Sequence, residues 1–418
     1  MKILVIGSGL IGVTTAYLLG CRGHRVTVID RQDGPGRETS FANGALLHPS
    51  MPEPWNAPGC WRVLLGSVGR SDAALKVRLR ALPGLAGWGA AFLRNSRATT
   101  FERNALSNLR LASYSLKVMH SLQRQTDIQY GRVARGSLRI FRDPVALDQA
   151  VAAANRRISE GLSSRRLSSK ETIELEPALA PIASQLAGAL HYGSDEIGDA
   201  YRFCLALADC ARQRGVEFRF RTEISSLEVQ AGRVTGVKSS RERFVADRYI
   251  VAAGSYSARL LRHIGVRLPV QPCKGYSVTT NCPPGRRMLS IPVIDDQLHA
   301  AVVPLGSAVR VAGTAEFAGF DLTLRPARIR NLLRLLTAVL PRASFDPASA
   351  QPWCGLRPMS VDGVPIIGST PISNLLVNIG HGHLGWTMAA GSAQLITDLM
   401  SGQSLAIDPT PYDPSRFL

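Results

Sequence analysis

Long apolar runs are missing from this 418-residue chain. No stretch of about 18 uncharged apolar residues occurs, which argues against a membrane-spanning helix. The apolar stretch near the start is broken by glycines, so a cleavable leader is not expected either, and the expected location is cytoplasmic. Metal-ligand spacing is missing as well. The seven cysteines (21, 60, 204, 210, 273, 282 and 354) include no C-x-x-C pair and the eight histidines no H-x-x-x-H pair, so neither a disulfide framework nor a metal site is expected. Acidic residues are scarce: 31 Asp and Glu against 49 Lys and Arg leave a formal charge of +18, which favours anionic surfaces. The imbalance is densest between Arg62 and Arg110, where nine Arg or Lys face only Asp72 and Glu102. Trp61, Leu64, Leu65, Val68, Leu79, Leu82, Leu85, Trp88, Phe92 and Leu93 are interleaved with them. Residues 60–110 therefore fit a peripheral contact with an anionic bilayer, at the inner face of the cytoplasmic membrane. A solvated helix pair with one buried face is the other reading. No nucleic-acid partner is expected, because no stacking platform or recognition module accompanies the charge.

What is present begins with Lys2-Ile3-Leu4-Val5-Ile6, an apolar strand running into Gly7-Ser8-Gly9-Leu10-Ile11-Gly12. In such a turn Gly7 permits the tight bend, Gly9 admits a diphosphate to the backbone, and Gly12 lets the next helix pack on the sheet. The helix, about Leu10 to Cys21, points its free N–H groups at the phosphates. His24 to Ile29 reads as a second strand ending in Asp30, placed to accept a ribose hydroxyl about twenty residues after the glycines, with Arg31 beside it. No second fingerprint of this kind follows a strand elsewhere.

Beyond this unit lie a Gly, Pro, Ser and Asn-rich loop from Gly34 to Pro58 and a mostly helical region to about Gln125. Ala200 to Gly215 reads as a helix capped by Asp199. Val216 to Phe220, Ile224 to Val229, Gly232 to Val237 and Phe244-Val245 read as an antiparallel meander turning at Ala231-Gly232. Arg248 to Gly254 reads as a buried strand, 270–320 as strands, Pro326 to Leu340 as a helix and Gly385 to Ser401 as the last helix. This order implies a discontinuous nucleotide domain, 1–90, 195–262 and 352–418, with 91–194 and 263–351 forming a substrate domain.

Six motifs in order carry a family resemblance: Gly7 to Gly12, Glu38-Thr39-Ser40-Phe41-Ala42-Asn43, Pro54-Trp55-Asn56-Ala57-Pro58-Gly59, Lys274-Gly275-Tyr276-Ser277, Ala315 to Asp321, and Gly380-His381-Gly382-His383-Leu384-Gly385-Trp386-Thr387. Over essentially its whole length the chain resembles the D-amino acid dehydrogenase small-subunit family, within the FAD-dependent D-amino acid oxidase superfamily. The resemblance implies an α/β fold, a Rossmann-like FAD-binding domain of glutathione-reductase type with an inserted α+β substrate domain. It makes the dinucleotide FAD. Gly7, Gly9, Leu10, Ile11, Gly12, Asp30 and Arg31 would hold its ADP half. Thr39, Ser40, Ala42, Asn43 and Gly44 would wrap the pyrophosphate and flavin edge, and Ala253-Gly254 would pass close to the nucleotide. Gly355 would lie with the cofactor on a segment leading back under the flavin to Arg357, which would bind a substrate carboxylate, a bidentate task suited to guanidinium. Tyr276 would be a second carboxylate contact through its hydroxyl. Gly382, Leu384, Gly385, Trp386 and Thr387 would present backbone N–H groups and a helix dipole to charge on the reduced flavin. His383 stands where the family usually has threonine, and His48 is likewise a departure; either lines the pocket or serves as a hydrogen-bonded loop residue.

The implied reaction is oxidative deamination of a D-amino acid. Hydride passes from Cα to flavin N5, and the imine hydrolyses to a 2-oxo acid and ammonia. Electrons go to a quinone or another respiratory acceptor. An oxygen-using amine or amino-acid oxidase and a D-proline or hydroxyproline dehydrogenase remain open, and a basic nucleic-acid-binding flavoprotein stands further off. Cys354 adjoins the arginine motif, but no neighbour in sequence activates its thiol for a covalent flavin link.

Overall fold

Lys2–Ile6 pairs in parallel with Arg25–Ile29 on one side and Arg248–Val251 on the other. The helix Leu10–Cys21 that joins the first two is the βαβ unit expected from the glycine turn. The computed structural model describes residues 1–66, 75–282, 288–341, 345 and 347–418. Val68, Arg70 and Asp72 of the basic, apolar segment lie outside the described residues.

Among the described residues the chain builds two large sheets. The first has six strands in the order Ile366–Ser369, Leu375–Ile379, Arg248–Val251, Lys2–Ile6, Arg25–Ile29, Glu217–Arg219. All its pairs are parallel except the first. The second is largely antiparallel and runs from Gln351–Ser360 through Val270–Asn281, Ala308–Phe317, Ala300–Leu305, Val293–Asp295, Ser137–Phe141 and Gly188–Tyr192 to Arg165–Leu167. The expected meander forms from Ile224–Gln230, Arg233–Ser239 and Arg243–Phe244, with its turn at Ala231 and Gly232 in left-handed backbone. Asp199 caps the helix Ala200–Gln213 through Tyr201 N and Arg202 N.

Three elements sit differently from the expectation. Glu217–Arg219 leaves the meander and pairs with Arg25–Ile29, because Arg219 O accepts Asp30 N and extends that sheet. Helix Ala98–Thr126, expected in the substrate domain, packs on the last helix Gly385–Ser401. Its Leu111, Ala112, Leu116 and Met119 share a core with the first βαβ unit, and Ser115 Oγ accepts Gly391 N at 2.9 Å. Gly391 makes this close approach possible, since a Cβ there would lie 2.8 Å from the Ser115 Cβ. Gln351–Ser360, expected in the nucleotide domain, is instead an edge of the second sheet, in register with Val270–Asn281.

A buried carboxyl ties the loop before the cavity to the second sheet. Asp195 is fully buried and accepts hydrogen bonds from Ser50 Oγ at 2.5 Å and Ser137 Oγ at 2.6 Å. Burial pushes its pKa up to about 7. The folded chain keeps this proton to near neutrality while the unfolded chain releases it near pH 4, so stability falls as pH rises from about 4 to about 7 and stays lower above. Asp195→Asn should flatten that decline. Denaturant unfolding at pH 5 and pH 8 checks it, and an equal decline in both proteins would reject it.

Candidate active site

A cavity of about 1140 Å³ runs between the two sheets from the glycine turn to Arg357. At one end Gly7 sits at φ +108°, a conformation closed to other residues, and its N–H donates to Ile29 O at 2.8 Å. Gly9 begins the helix Leu10–Cys21 without a capping side chain, so the N-terminal N–H groups and dipole face the cavity that Gly9, Leu10 and Ile11 line. Leu10 N donates to Ser40 Oγ at 3.1 Å. Asp30 also lines the cavity, its carboxylate oriented by Ser8 N at 2.6 Å, Ser8 Oγ at 2.7 Å and Gln32 N at 2.8 Å. Arg31 lies with its Cζ 3.8 Å from the Tyr256 ring centroid and pairs with Glu38.

Farther along, Thr39 Oγ1 donates to Leu356 O at 2.8 Å. The turn Ala42-Asn43-Gly44 is pinned from the second sheet: Ser277 Oγ donates to Ala42 O at 2.6 Å and Arg310 Nη1 to Asn43 O at 3.1 Å. Ala253, Gly254, Gly355, Gly382, Gly385 and Trp386 complete this part of the wall. A continuous cleft with a diphosphate cradle, a ribose-facing acid and a second uncapped helix start at Gly385–Ser401 fits FAD.

Arg357 marks the far end. Its guanidinium passes over Gly275, where any Cβ would collide with it, and Nη1 donates to Thr314 O at 3.4 Å. Thr314 has φ +57° beside a register shift in the Val270–Asn281 ladder, a bulge that turns its carbonyl toward the arginine. Arg357 has no carboxylate partner among the described residues, and burial lowers its pKa. His48 and His383 line the same region, and burial holds their pKa values down to about 4 and about 3.

Other expected residues turn elsewhere. The ring of Tyr276 lines the cavity, but its hydroxyl, expected on a substrate carboxylate, donates to buried Glu316 Oε2 at 2.7 Å. Glu316 is held in turn by Arg78 and lies 3.6 Å from Lys274 Nζ. Gly12, Leu384 and Thr387 are absent from the cavity wall. Gly12 instead leaves room for the Gly7 carbonyl, Leu384 is a core residue, and Thr387 Oγ1 accepts His48 N at 3.1 Å. The Trp386 indole N–H donates to Gly198 O within an aromatic cluster with Tyr130 and Phe203. Cys354 packs toward the core of the second sheet with Sγ 3.1 Å from Leu322 O, and burial raises its pKa, so it is not poised for a flavin link.

Trp55, Thr314 and Arg310 were not assigned roles from sequence. Trp55 lies within the Pro54 to Gly59 motif, a usable signal; the other two act through contacts across the sheet that no local pattern announces.

A family model described as FAD dependent oxidoreductase matches residues 2–399. The D-amino acid dehydrogenase of Paramagnetospirillum magneticum is 40% identical over 419 residues, covering 100% of this chain and 99% of that protein. That of Sinorhizobium medicae is 41% identical over 417 residues, covering 100% of each. Among solved structures, glycine oxidase from Geobacillus kaustophilus aligns with a TM-score of 0.79 at 22% identity, covering 100% of this chain and 99% of the other.

Proposed function

The chain belongs to the FAD dependent oxidoreductase family, and on that premise we propose that it oxidises a D-amino acid to the 2-oxo acid and ammonia. The observation that carries this reading is Arg357, a half-buried guanidinium on the cavity wall with no carboxylate partner among the described residues. The relatives named D-amino acid dehydrogenase support the substrate class. FAD, when bound, supplies a hydride acceptor. Arg357 would take the substrate carboxylate in a fork of two N–H donors and so fix Cα. The apolar wall around His48, Trp55 and His383 would exclude water and favour the unprotonated amine. The first sheet would serve the cofactor and the second the substrate. Anaerobic mixing with paired D- and L-amino acids checks the reading: D-isomers should bleach the flavin, and bleaching by L-isomers alone would overturn it.

For the acceptor, a quinone or other respiratory carrier is the reading that the surface favours. Trp61, Leu79, Leu82 and Leu93 are exposed, Leu79 at 81%, beside the exposed Arg62, Arg80 and Arg94. No helix among the described residues is long and apolar enough to cross a membrane, so contact through this face would be peripheral. Affinity for anionic vesicles, read by co-sedimentation, should fall by about a hundredfold or more in a Leu79→Glu/Leu82→Glu protein, as burying two Leu side chains contributes about 3 kcal/mol or more. Peroxide formed in air at the rate of turnover would instead favour an oxidase.

A further inference from the structure

Two imidazoles share the Arg357 end of the cavity. His48 is anchored by its backbone N–H, which donates to Thr387 Oγ1, and its Nδ1 is shut away without a partner, leaving Nε2 for the cavity that the residue lines. His383 stands in the short turn Gly382–Leu384, and its ring has no hydrogen-bond partner among the described residues. Trp55 positions both His383 and Arg357. The His383 ring stacks on it at 5.3 Å and 23°, and the Arg357 Cζ lies 5.4 Å from the same indole centroid. His383 is near enough to His48 and Arg357 that charge on either disfavours charge on it.

These facts limit what the end of the cavity accepts. Burial keeps both rings unprotonated at neutral pH, so each exposes a lone pair as well as an N–H. Arg357 presents a positive charge that one carboxylate cancels. A second anion would meet neutral rings, and a cation would meet Arg357. The ligand with matching chemistry is a monocarboxylate whose neighbouring group donates two hydrogen bonds, and a free-base primary amine on Cα is such a group.

We propose that His48 and His383 accept the two N–H bonds of the unprotonated primary α-amine while Arg357 holds the carboxylate, so that this chain selects primary D-amino acids over N-alkylated and cyclic ones. The inference rests on the D-amino acid reading above. It gives a role to the two positions at which the chain departs from the residues usual in the family it resembles.

The test uses the FAD-loaded enzyme and anaerobic flavin bleaching with three probes: the fastest D-amino acid, its N-methyl derivative, and D-proline. The wild type should favour the primary amine by about tenfold or more in rate over dissociation constant, the scale of a lost hydrogen bond in a dry site. His48→Ala combined with His383→Leu, which removes both acceptors, should cut that preference by about tenfold, mostly through loss on the primary amine. His383→Asn, which keeps an acceptor, should hold the preference better than His383→Leu. Benzoate, a carboxylate without an amine, should perturb the flavin spectrum equally in wild type and variants, showing an intact Arg357 site. Equal rates on primary and N-methyl substrates in the wild type, or equal losses on both in the double variant, would overturn the subsite while leaving the D-amino acid reading intact. Failure of every D-amino acid while an L-isomer reacts would overturn both.

Discussion

Replacing Arg357 by leucine is expected to raise the Michaelis constant for a D-amino acid by about a hundredfold to a thousandfold, the consequence of removing one partner from a buried, hydrogen-bonded charge pair. Neighbouring cations do not compensate. Of the other arginines that line the cavity, Arg31 is paired with Glu38, Arg37 with Asp33 and Arg139 with Asp296 at 2.5 Å, while Arg259 stands on the helix Ser257–Arg262 that follows the nucleotide-side strand Arg248–Val251. FAD content should be unchanged, because the nucleotide cradle lies at the other end of the cleft. Arg357→Lys should fall between, keeping charge but losing the planar fork. Steady-state kinetics with the best D-amino acid, read beside the flavin-to-protein ratio, checks this; an unchanged Michaelis constant would reject the carboxylate assignment. Gly275→Ala offers an independent route to the same defect. Its Cβ would displace the guanidinium without removing it, so substrate binding should weaken while the charge remains.

Gly12→Ala is expected to abolish most FAD binding. A Cβ at Gly12 would fall on the Gly7 carbonyl, a backbone atom rather than the movable end of a side chain. Gly7 is already at φ +108°, its N–H is held by Ile29 O, and the place of its own Cβ is taken by the Ala252 carbonyl. The helix start must therefore move away from the turn, taking with it the N-terminal N–H groups and dipole end that the cofactor's phosphates would need. Overpacking of this kind costs about 1–3 kcal/mol in folding stability. The flavin-to-protein ratio after purification should drop well below half, and the melting temperature should fall with it. Gly84→Ala is the control, since nothing lies within 4 Å of its Cβ position in an outer helix. Full FAD occupancy in Gly12→Ala would mean that the turn does not hold the cofactor in the manner argued.

The parts of the fold that were legible in advance share a physical cause. A positive-φ glycine, an Asp N-cap and a left-handed Ala231-Gly232 turn are choices made by the backbone within three or four residues. Hence helices Leu10–Cys21 and Gly385–Ser401 fall where their glycines and apolar spacing placed them. Edge strands were less legible. Glu217–Arg219 is three residues long, and its partner is chosen by which sheet has a free edge, so a short alternating pattern beside a meander was misleading. Helix Ala98–Thr126 displayed an apolar face, but nothing in that face named Gly391 as the counterpart of Ser115.

At the site the division is sharper. Residue types in motif order were enough to gather the glycine turn, Asp30, the 39–44 turn and Arg357 into one reading, because backbone geometry and the guanidinium fork are properties each residue carries with it. What Tyr276, His48 and His383 do depends on their surroundings. The Tyr276 hydroxyl is claimed by Glu316 across the Ala308–Phe317 ladder. The two imidazoles are neutral because burial withdraws the water that would stabilise their charge, and Arg357, hundreds of positions from His48, adds repulsion at His383. From sequence alone follow the βαβ unit and the nucleotide turn, and the family resemblance points to Arg357 as the residue proposed to bind the carboxylate. Which hydroxyls are already spent, which rings are uncharged and which cation lacks a partner were decided only by the tertiary structure, since hydrogen-bond pairing and desolvation arise between residues distant in the chain.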